Sequence, residues 1–248
     1  MLQEFCRIAG TSAGTDAAKD HMVVSVVTKL EAAPKVPDQE MTIAADVPEL
    51  VAKLKASAGR LCVPAMVSLF TGMRRSEVLA LRWGRVDLQR KVIQVQDALE
   101  FTKAHGIRVR APKSKAGRRE LTLPDVLVET LQEYRKAQLE LRLKLGTGKL
   151  QDDDLLFSDL DGAPLSPNAV SAAWSDYARR VGIPEVTFHA LRHTHASQLI
   201  DADVDIVTIS RRLGHAKPDI TLRIYAHLFR KDDGKAAAAI NKAMQGLL

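Results

Sequence analysis

The sequence predicts an α+β fold, mainly α with a small antiparallel β-sheet, on three observations. Apolar residues recur at helical spacing behind recognisable caps over most of the chain from Asp46 onward. Between Lys91 and Leu123 the period shortens to two. Aromatic residues make up only 4% of the chain, so a core of Leu, Val, Ala and Ile is expected.

The segment Ala9 to Asp20 is small, polar and aperiodic and reads as a loop or linker, and Pro34 and Pro37 break any helix in the stretch that follows. Asp46-Val47-Pro48-Glu49 has the form of a capped helix start, with Leu50, Val51 and Leu54 at helical spacing. Leu61 to Phe70 is apolar nearly all round, which predicts a buried helix. Another helix is expected from Ser76 to Trp83, with Arg74 just before its N-terminus. Val92–Val95, Ile107–Arg110 and Arg119–Leu123 then read as short strands, and Lys113-Ser114-Lys115-Ala116-Gly117 falls at the tip of the last hairpin. Pro124 to Leu145 forms a long amphipathic helix stopped by Gly146; Ser166-Pro167 opens the next helix and Gly182 closes it. Thr187 starts the helix bearing His189 and Arg192, Gly214 ends the one before His215, and a further helix bears Tyr225. Lys235 to Leu248 is an Ala-rich helix with Ile240, Met244 and Leu247 on one side.

A chain of 248 residues is one large domain or two small ones, with enough aliphatic content for a sizeable core. The formal charge of +6 favours a polyanionic partner, and its distribution says more than its sum. Lys103 to Arg119 carries seven Lys and Arg residues with no acid between, whereas Gln151 to Asp161 is strongly acidic, so one surface is basic and another acidic. Cys6 and Cys62 are too few for a disulfide framework or a zinc ribbon, which points to a reducing compartment. No stretch has the length and apolarity of a bilayer span, and the first residues lack a signal-peptide pattern.

The polar residues fit metal-free phosphodiester cleavage, which requires neutralised phosphate oxygens, a nucleophile, and a proton for the leaving oxygen. Arg74 and Arg192 are the candidate oxygen-binding cations, because a guanidinium gives two parallel charged hydrogen bonds and keeps its proton. Each lies beside a helix start in an apolar run, unlike a solvated surface arginine. Glu77, one turn beyond Arg74, is placed to hold that guanidinium, although helix capping explains it equally. Tyr225 alone reads as a core aromatic; following Leu213-Gly214-His215, it reads as a nucleophile that needs a neighbouring base or cation. His189, His193 and His195 invite a metal reading, which lacks the Glu of H-E-x-x-H and any acidic or thiol ligand close in sequence, so no metal is expected. His189 then handles protons near the nucleophile, while His193 and His195 are expected to be structural histidines. His215 is expected to donate to a phosphate oxygen or help Tyr225. Lys115 is either a solvated lysine or a general acid whose pKa is lowered by surrounding cations.

Together, Thr71-Gly72-Met73-Arg74-Arg75-Ser76-Glu77, Lys113 to Arg119, His189-Ala190-Leu191-Arg192-His193, Leu213-Gly214-His215 and Arg223-Ile224-Tyr225 resemble, in order, the signature boxes of the tyrosine recombinases, or phage-type integrases. The resemblance covers roughly residues 41 to 248. It implies the tyrosine recombinase catalytic-domain fold, with residues 1–40 as a linker or the remnant of a DNA-clamping domain and 235–248 as a tail helix. It further implies site-specific recombination of double-stranded DNA through a 3′-phosphotyrosyl intermediate on Tyr225. Arg74, Arg192 and His215 would hold the phosphate, Lys115 would protonate the departing 5′-oxygen and His189 would assist proton movement, with no metal or nucleotide cofactor. Arg75, Lys113, Arg118, Arg119 and Lys217 are the expected DNA contacts. A homotetramer assembled on DNA through the tail, and a cytoplasmic, nucleoid-associated location without membrane attachment, complete the expectation. Type IB topoisomerase-like cleavage and a non-catalytic DNA-binding module are the alternatives; covalent adduct formation and strand exchange distinguish them.

Overall fold

A computed structural model of the chain describes residues 46–56, 59–112, 115–229 and 234–245. The loop and linker expected within the first 40 residues lie outside the described residues. Helices α1 (Val47–Ala56) and α2 (Cys62–Thr71) form as expected, the first with Asp46 Oδ1 accepting from the Glu49 amide at 2.8 Å, the second buried on most of its surface. α3 is shorter than predicted, Arg75–Leu79, with Arg74 as its N-cap. The segment beyond it pairs instead with the acidic loop: Leu156 N donates to Leu81 O at 2.8 Å and Trp83 N to Asp154 O at 3.0 Å. A 3-10 turn at Trp83–Arg85 follows.

The strands are β1 (Val86–Asp87), β2 (Val92–Val95), β3 (Ala98–Thr102), β4 (Gly106–Arg110) and β5 (Arg119–Thr122). They form two antiparallel sheets among the described residues, β1-β2-β5 and the separate hairpin β3-β4. β2 pairs with β5 in the register Ile93 to Leu121, and β3 pairs with β4 in the register Leu99 to Val109. This corrects the expected hairpin between Ile107–Arg110 and Arg119–Leu123. β4 turns back on β3 around Gly106, whose φ of +64° favours glycine, so the basic segment crosses between sheets and Lys115–Gly117 is a 3-10 turn. β3 was missed because its faces are only partly buried, with Leu99 its one buried residue, which blurs the two-residue period.

α4 (Asp125–Leu145) and α5 (Pro167–Arg180) match the sequence signals, including left-handed Gly146 and the Ser166 cap. In α6 (Phe188–Asp201) the Thr187 hydroxyl accepts from Ala190 N at 3.0 Å, and in α7 (Ile206–Leu213) Asp205 Oδ1 accepts from the Val207 and Thr208 amides. α8 spans Pro218–Tyr225 and runs into a 3-10 turn, Ala226–Leu228. The tail helix α9 spans Gly234–Met244 with Ile240 and Met244 exposed; Leu247 lies outside the described residues.

The larger core cluster is built around α1, α2, α4, α5 and the inner face of the three-stranded sheet. A second, smaller cluster of Ala196, Ile200, Ile209, Leu213 and Tyr225 joins α6, α7 and α8. His195 ties the two regions together. Its Nδ1–H donates to Leu69 O at 2.8 Å, and its Nε2 accepts from Arg212 Nε at 3.0 Å; Arg212 also donates to Phe70 O and Thr122 O. His195 is therefore the satisfied structural histidine the sequence suggested.

This clasp requires a neutral imidazole. Burial first, and then the Arg212 charge, push the His195 pKa from 6.5 to about 3. The unfolded chain takes up this proton near pH 6.5 and the folded one only near 3, so the stabilisation is complete above 6.5 and is lost as the pH falls through that window. His195 alone should make unfolding free energy fall by up to about 1.4 kcal/mol per pH unit. Urea unfolding at pH 7 and pH 5 should show this slope, and His195→Asn, though less stable at pH 7, should flatten it. An unchanged slope in the variant would remove His195 as its source.

Candidate active site

The chain ends of α2 and α7 create the setting for Arg192. Both helices stop on left-handed glycines, Gly72 at φ +68° and Gly214 at φ +70°, leaving their last carbonyls directed at one point. Arg192, the fifth residue of α6, fills it: Nη1 donates to Gly72 O at 2.5 Å and Nη2 to Leu213 O at 2.8 Å. Its side chain is buried, with 3% of the residue exposed, and two helix C-termini offset part of the cost of removing the charge from water. Burial first, then Arg74, lower its pKa to about 9, which leaves it protonated at neutral pH.

His215, immediately after Gly214, sits against this guanidinium. Arg192 Nη2 donates to His215 Nε2 at 3.0 Å, which fixes the other nitrogen as the donor to Thr221 Oγ1 at 2.7 Å. Burial, followed by Arg192 and Arg74, pushes its pKa to about 4, so the ring is neutral. In this tautomer Nε2 faces Arg192 as an acceptor, and donation to a phosphate requires protonation there.

Arg74 is held by Glu77 as expected: the carboxylate accepts from Arg74 Nη1 at 3.0 Å and from the Arg74 amide at 2.9 Å. The same carboxylate also takes Arg119 Nη2 at 2.8 Å and Nη1 at 3.2 Å, in a pair whose side chains are 7% and 4% exposed. Arg119 Nε donates to Arg212 O, and Nη1 also to Gly117 O. Arg119 was expected at the DNA surface; it is instead a buried brace, because β5 pairs with β2 and carries its side chain under the start of α3 toward Glu77. Arg75 is half-buried and donates to the Ser171 hydroxyl, while Arg118 and Lys217 are exposed. Lys113 and the Lys115 side chain lie outside the described residues.

Tyr225 ends α8 inside the smaller cluster and is 1% exposed. Burial pushes its pKa up to about 12, against the opposing pull of Arg192. Its hydroxyl meets His193 Nδ1 at 2.8 Å. His193 was expected to be structural only, and His189 to serve the tyrosine. His189 is exposed, its pKa lowered by partial burial, Arg192 and Arg74, and it meets the His193 ring edge-on at a centroid distance of 4.3 Å. The signal was available: His189, Arg192 and His193 fall within an arc of about 100° on a helix of 3.6 residues per turn, so a site placed at Arg192 and His189 includes His193. Among the described residues, no group of His, Cys, Asp and Glu is arranged to hold a metal ion, and no helix is long and apolar enough to cross a membrane.

The architecture is that of the tyrosine recombinase catalytic domains. The structure aligns with the Tn1549 transposon integrase in complex with a circular-intermediate DNA at a TM-score of 0.66 and 19% identity, covering 84% of this chain and 67% of that one. It aligns with the XerA recombinase at 0.56 and 25% identity, over 82% of this chain and 65% of that one. The phage integrase family matches residues 41–232, and the chain belongs to that family. Among curated relatives, a XerC-like tyrosine recombinase of Caldanaerobacter subterraneus is 29% identical over 186 residues, 71% of this chain and 48% of that protein. The integrase of Staphylococcus phage L54a is 28% identical over 180 residues, 71% of this chain and 50% of its own length. The chain thus spans about half the length of these relatives.

Glu77 is the carboxylate on which Arg74 and Arg119 converge. Burial opposes its charge, but the hydrogen bond and charge of Arg119, then Arg74, hold its pKa below the usual value. Removing the charge by Glu77→Gln leaves a buried guanidinium uncompensated, and a loss of about 3–5 kcal/mol in urea unfolding at pH 7 is expected. A loss under about 1 kcal/mol, the range of surface pairs, would show that the Glu77–Arg119 pair is not buried in solution.

Proposed function

We propose that this chain is the catalytic part of a site-specific DNA recombinase that breaks and rejoins strands of duplex DNA through a 3′-phosphotyrosyl intermediate. One observation carries the reading: Arg192, fixed by two helix ends and touching His215, lies close enough to influence the buried phenol of Tyr225. Arg74, partly exposed, and Arg192 bind the non-bridging oxygens of the scissile phosphate, and His215 joins them once the anion favours its protonation. Tyr225 Oη attacks phosphorus, the bond to the 5′-oxygen breaks, and Lys115 supplies the proton to that oxygen. His189 assists proton movement at the exposed edge. The phosphotyrosyl ester preserves the energy of the broken linkage, so rejoining needs no nucleotide or metal cofactor.

Residues 41–248 form the catalytic domain in this reading, and residues 1–40 a linker or the remnant of a DNA-clamping domain. Arg118 and Lys217, exposed, together with Lys113 and Arg75, contact the DNA backbone. The exposed Ile240 and Met244 of α9 dock on a neighbouring protomer in a tetramer on DNA. The Tn1549 integrase, solved with DNA, supports the substrate class, and a reaction on duplex DNA is in keeping with a protein that works at the nucleoid in the cytoplasm.

The test uses a pool of nicked duplexes of randomised sequence, from which covalent protein–DNA adducts are recovered after denaturation and sequenced. Wild type should give adducts in EDTA. Tyr225→Phe should give none while still binding DNA, and Arg192→Ala should lose on the order of 10²–10³-fold in rate. Adducts from Tyr225→Phe, or wild-type adducts that require added magnesium or zinc, would sink the assignment.

Lys115 is separated from Arg192 by the leaving group. Lys115→Ala should cleave more slowly by roughly 10²–10⁴-fold, the contribution of general-acid help. Sulfur in place of the bridging 5′-oxygen leaves without needing a proton and should restore Lys115→Ala but not Arg192→Ala. Equal recovery of both variants would take Lys115 out of the acid role.

A further inference from the structure

The Tyr225 hydroxyl has a histidine partner that takes no part in holding the phosphate. Nδ1 of His193 lies 2.8 Å from Tyr225 Oη, and the two rings are tilted at 60° with centroids 5.6 Å apart. Burial first, then the charges of His189 and Arg192, hold the His193 pKa at about 4, so the ring is neutral and its Nδ1 accepts from the phenol. His189 meets His193 edge-on and is exposed, on the side open to a substrate.

We propose that His193 takes the hydroxyl proton of Tyr225 during strand cleavage and returns it on rejoining, an inference that rests on the recombinase reading. As Oη bonds to phosphorus, its proton passes to Nδ1 and the O–H bonding pair stays on oxygen. The bond from phosphorus to the 5′-oxygen breaks with its pair on that oxygen, which takes a proton from Lys115. In the reverse step a 5′-hydroxyl attacks phosphorus as its proton passes to the Lys115 amine, the bond from phosphorus to Oη breaks with its pair on Oη, and the His193 imidazolium returns its proton to the departing phenolate.

The surroundings fit a proton acceptor that acts only with substrate in place. Tyr225 is not ionised beforehand, since burial holds its pKa near 12. The groups that set the basicity of His193 are His189 and Arg192 on its own helix and Tyr225 on α8. The turn after α8, packed on α6, carries His227, which is exposed and is not among the groups that shift His193. Arg212 of α7 is directed at His195, and α2 carries no charged side chain. A phosphate anion bound by Arg74 and Arg192 offsets the cationic charge acting on His193, and its basicity rises when the phenol must lose its proton.

The experiment uses the full chain and one site recovered from the nicked-duplex pool. His193→Asn sets an amide oxygen near the place of Nδ1, which accepts a hydrogen bond but not a proton. Adduct formation by this variant should slow by roughly 10²–10⁴-fold at neutral pH and recover as the pH rises. The same variant should join a strand ending in a 3′-(p-nitrophenyl) phosphate to a 5′-hydroxyl strand at the wild-type rate, because nitrophenolate leaves without a proton and Tyr225 takes no part. That reaction also shows the variant to be folded with its arginines in place. Adduct formation within a few-fold of wild type, an equal loss in both reactions, or the same signature from His189→Asn instead would overturn the proposal. A wild-type chain that forms no adduct would overturn the recombinase reading and this inference with it; normal wild-type adducts beside an unaffected His193→Asn would overturn this inference alone.

Discussion

Holding one guanidinium away from water is the constraint around which the site is organised. Arg192 has two carbonyl acceptors, and each is the end of a helix that a left-handed glycine terminates. Neither glycine is replaceable without displacing the next layer. A Cβ at Gly72 would lie 2.6 Å from His195 Cδ2, and one at Gly214 would lie 2.7 Å from Arg119 Nη1. The ends of α2 and α7, the His195–Arg212 clasp and the Arg119 brace are thus packed against the same few atoms. A change at any of them is felt at the Arg192 guanidinium, even from residues that would never meet a substrate.

The charge balance fits the anion that the proposed function brings to the site. Arg74, Arg119 and Arg192 surround a single buried carboxylate, Glu77, and Arg74 and Arg119 are bonded to it. His189, His193 and His215 all have lowered pKa values, each from burial first and then from nearby charge that includes Arg192. Such a site resists further protons while it is empty and gains stability from an anion. Its donors are oriented before any ligand arrives, which reduces the reorganisation needed when charge develops on phosphate oxygens.

Much of this was legible in local chemistry. Thr187 and Gly214 act through residues close in sequence, so those helix boundaries could be read directly, whereas the Asp205 cap and the Gly72 stop emerge from the structure. Less legible was whatever depended on distant partners. The predicted helix from Ser76 to Trp83 gave way after Leu79 to backbone pairing with residues 154–156, and Ile107–Arg110 chose Ala98–Thr102 over Arg119–Leu123. Arg119 looked like one more cation in a basic run, because its partner Glu77 lies 42 residues away. For His193 the helix arc it shares with His189 and Arg192 places it at the site, but that local spacing does not reveal that a tyrosine 32 residues later meets its ring.

The burial of Tyr225 bears on how a covalent intermediate would survive. A surface phenol would be easier to ionise, but an ester formed on it would be exposed to water as well as to the incoming strand. Tyr225 instead sits among Ala196, Ile200, Ile209 and Leu213, with its hydroxyl as the polar end. This apolar wall raises the cost of ionisation, which explains why a neutral acceptor must lie within hydrogen-bond distance of Oη. In the proposed reaction the same wall would limit the water available to hydrolyse the ester before a 5′-hydroxyl displaces it. A high phenol pKa and a neutral imidazole beside it are two consequences of one packing choice, which in the proposed reaction would favour transfer between strands over loss to solvent.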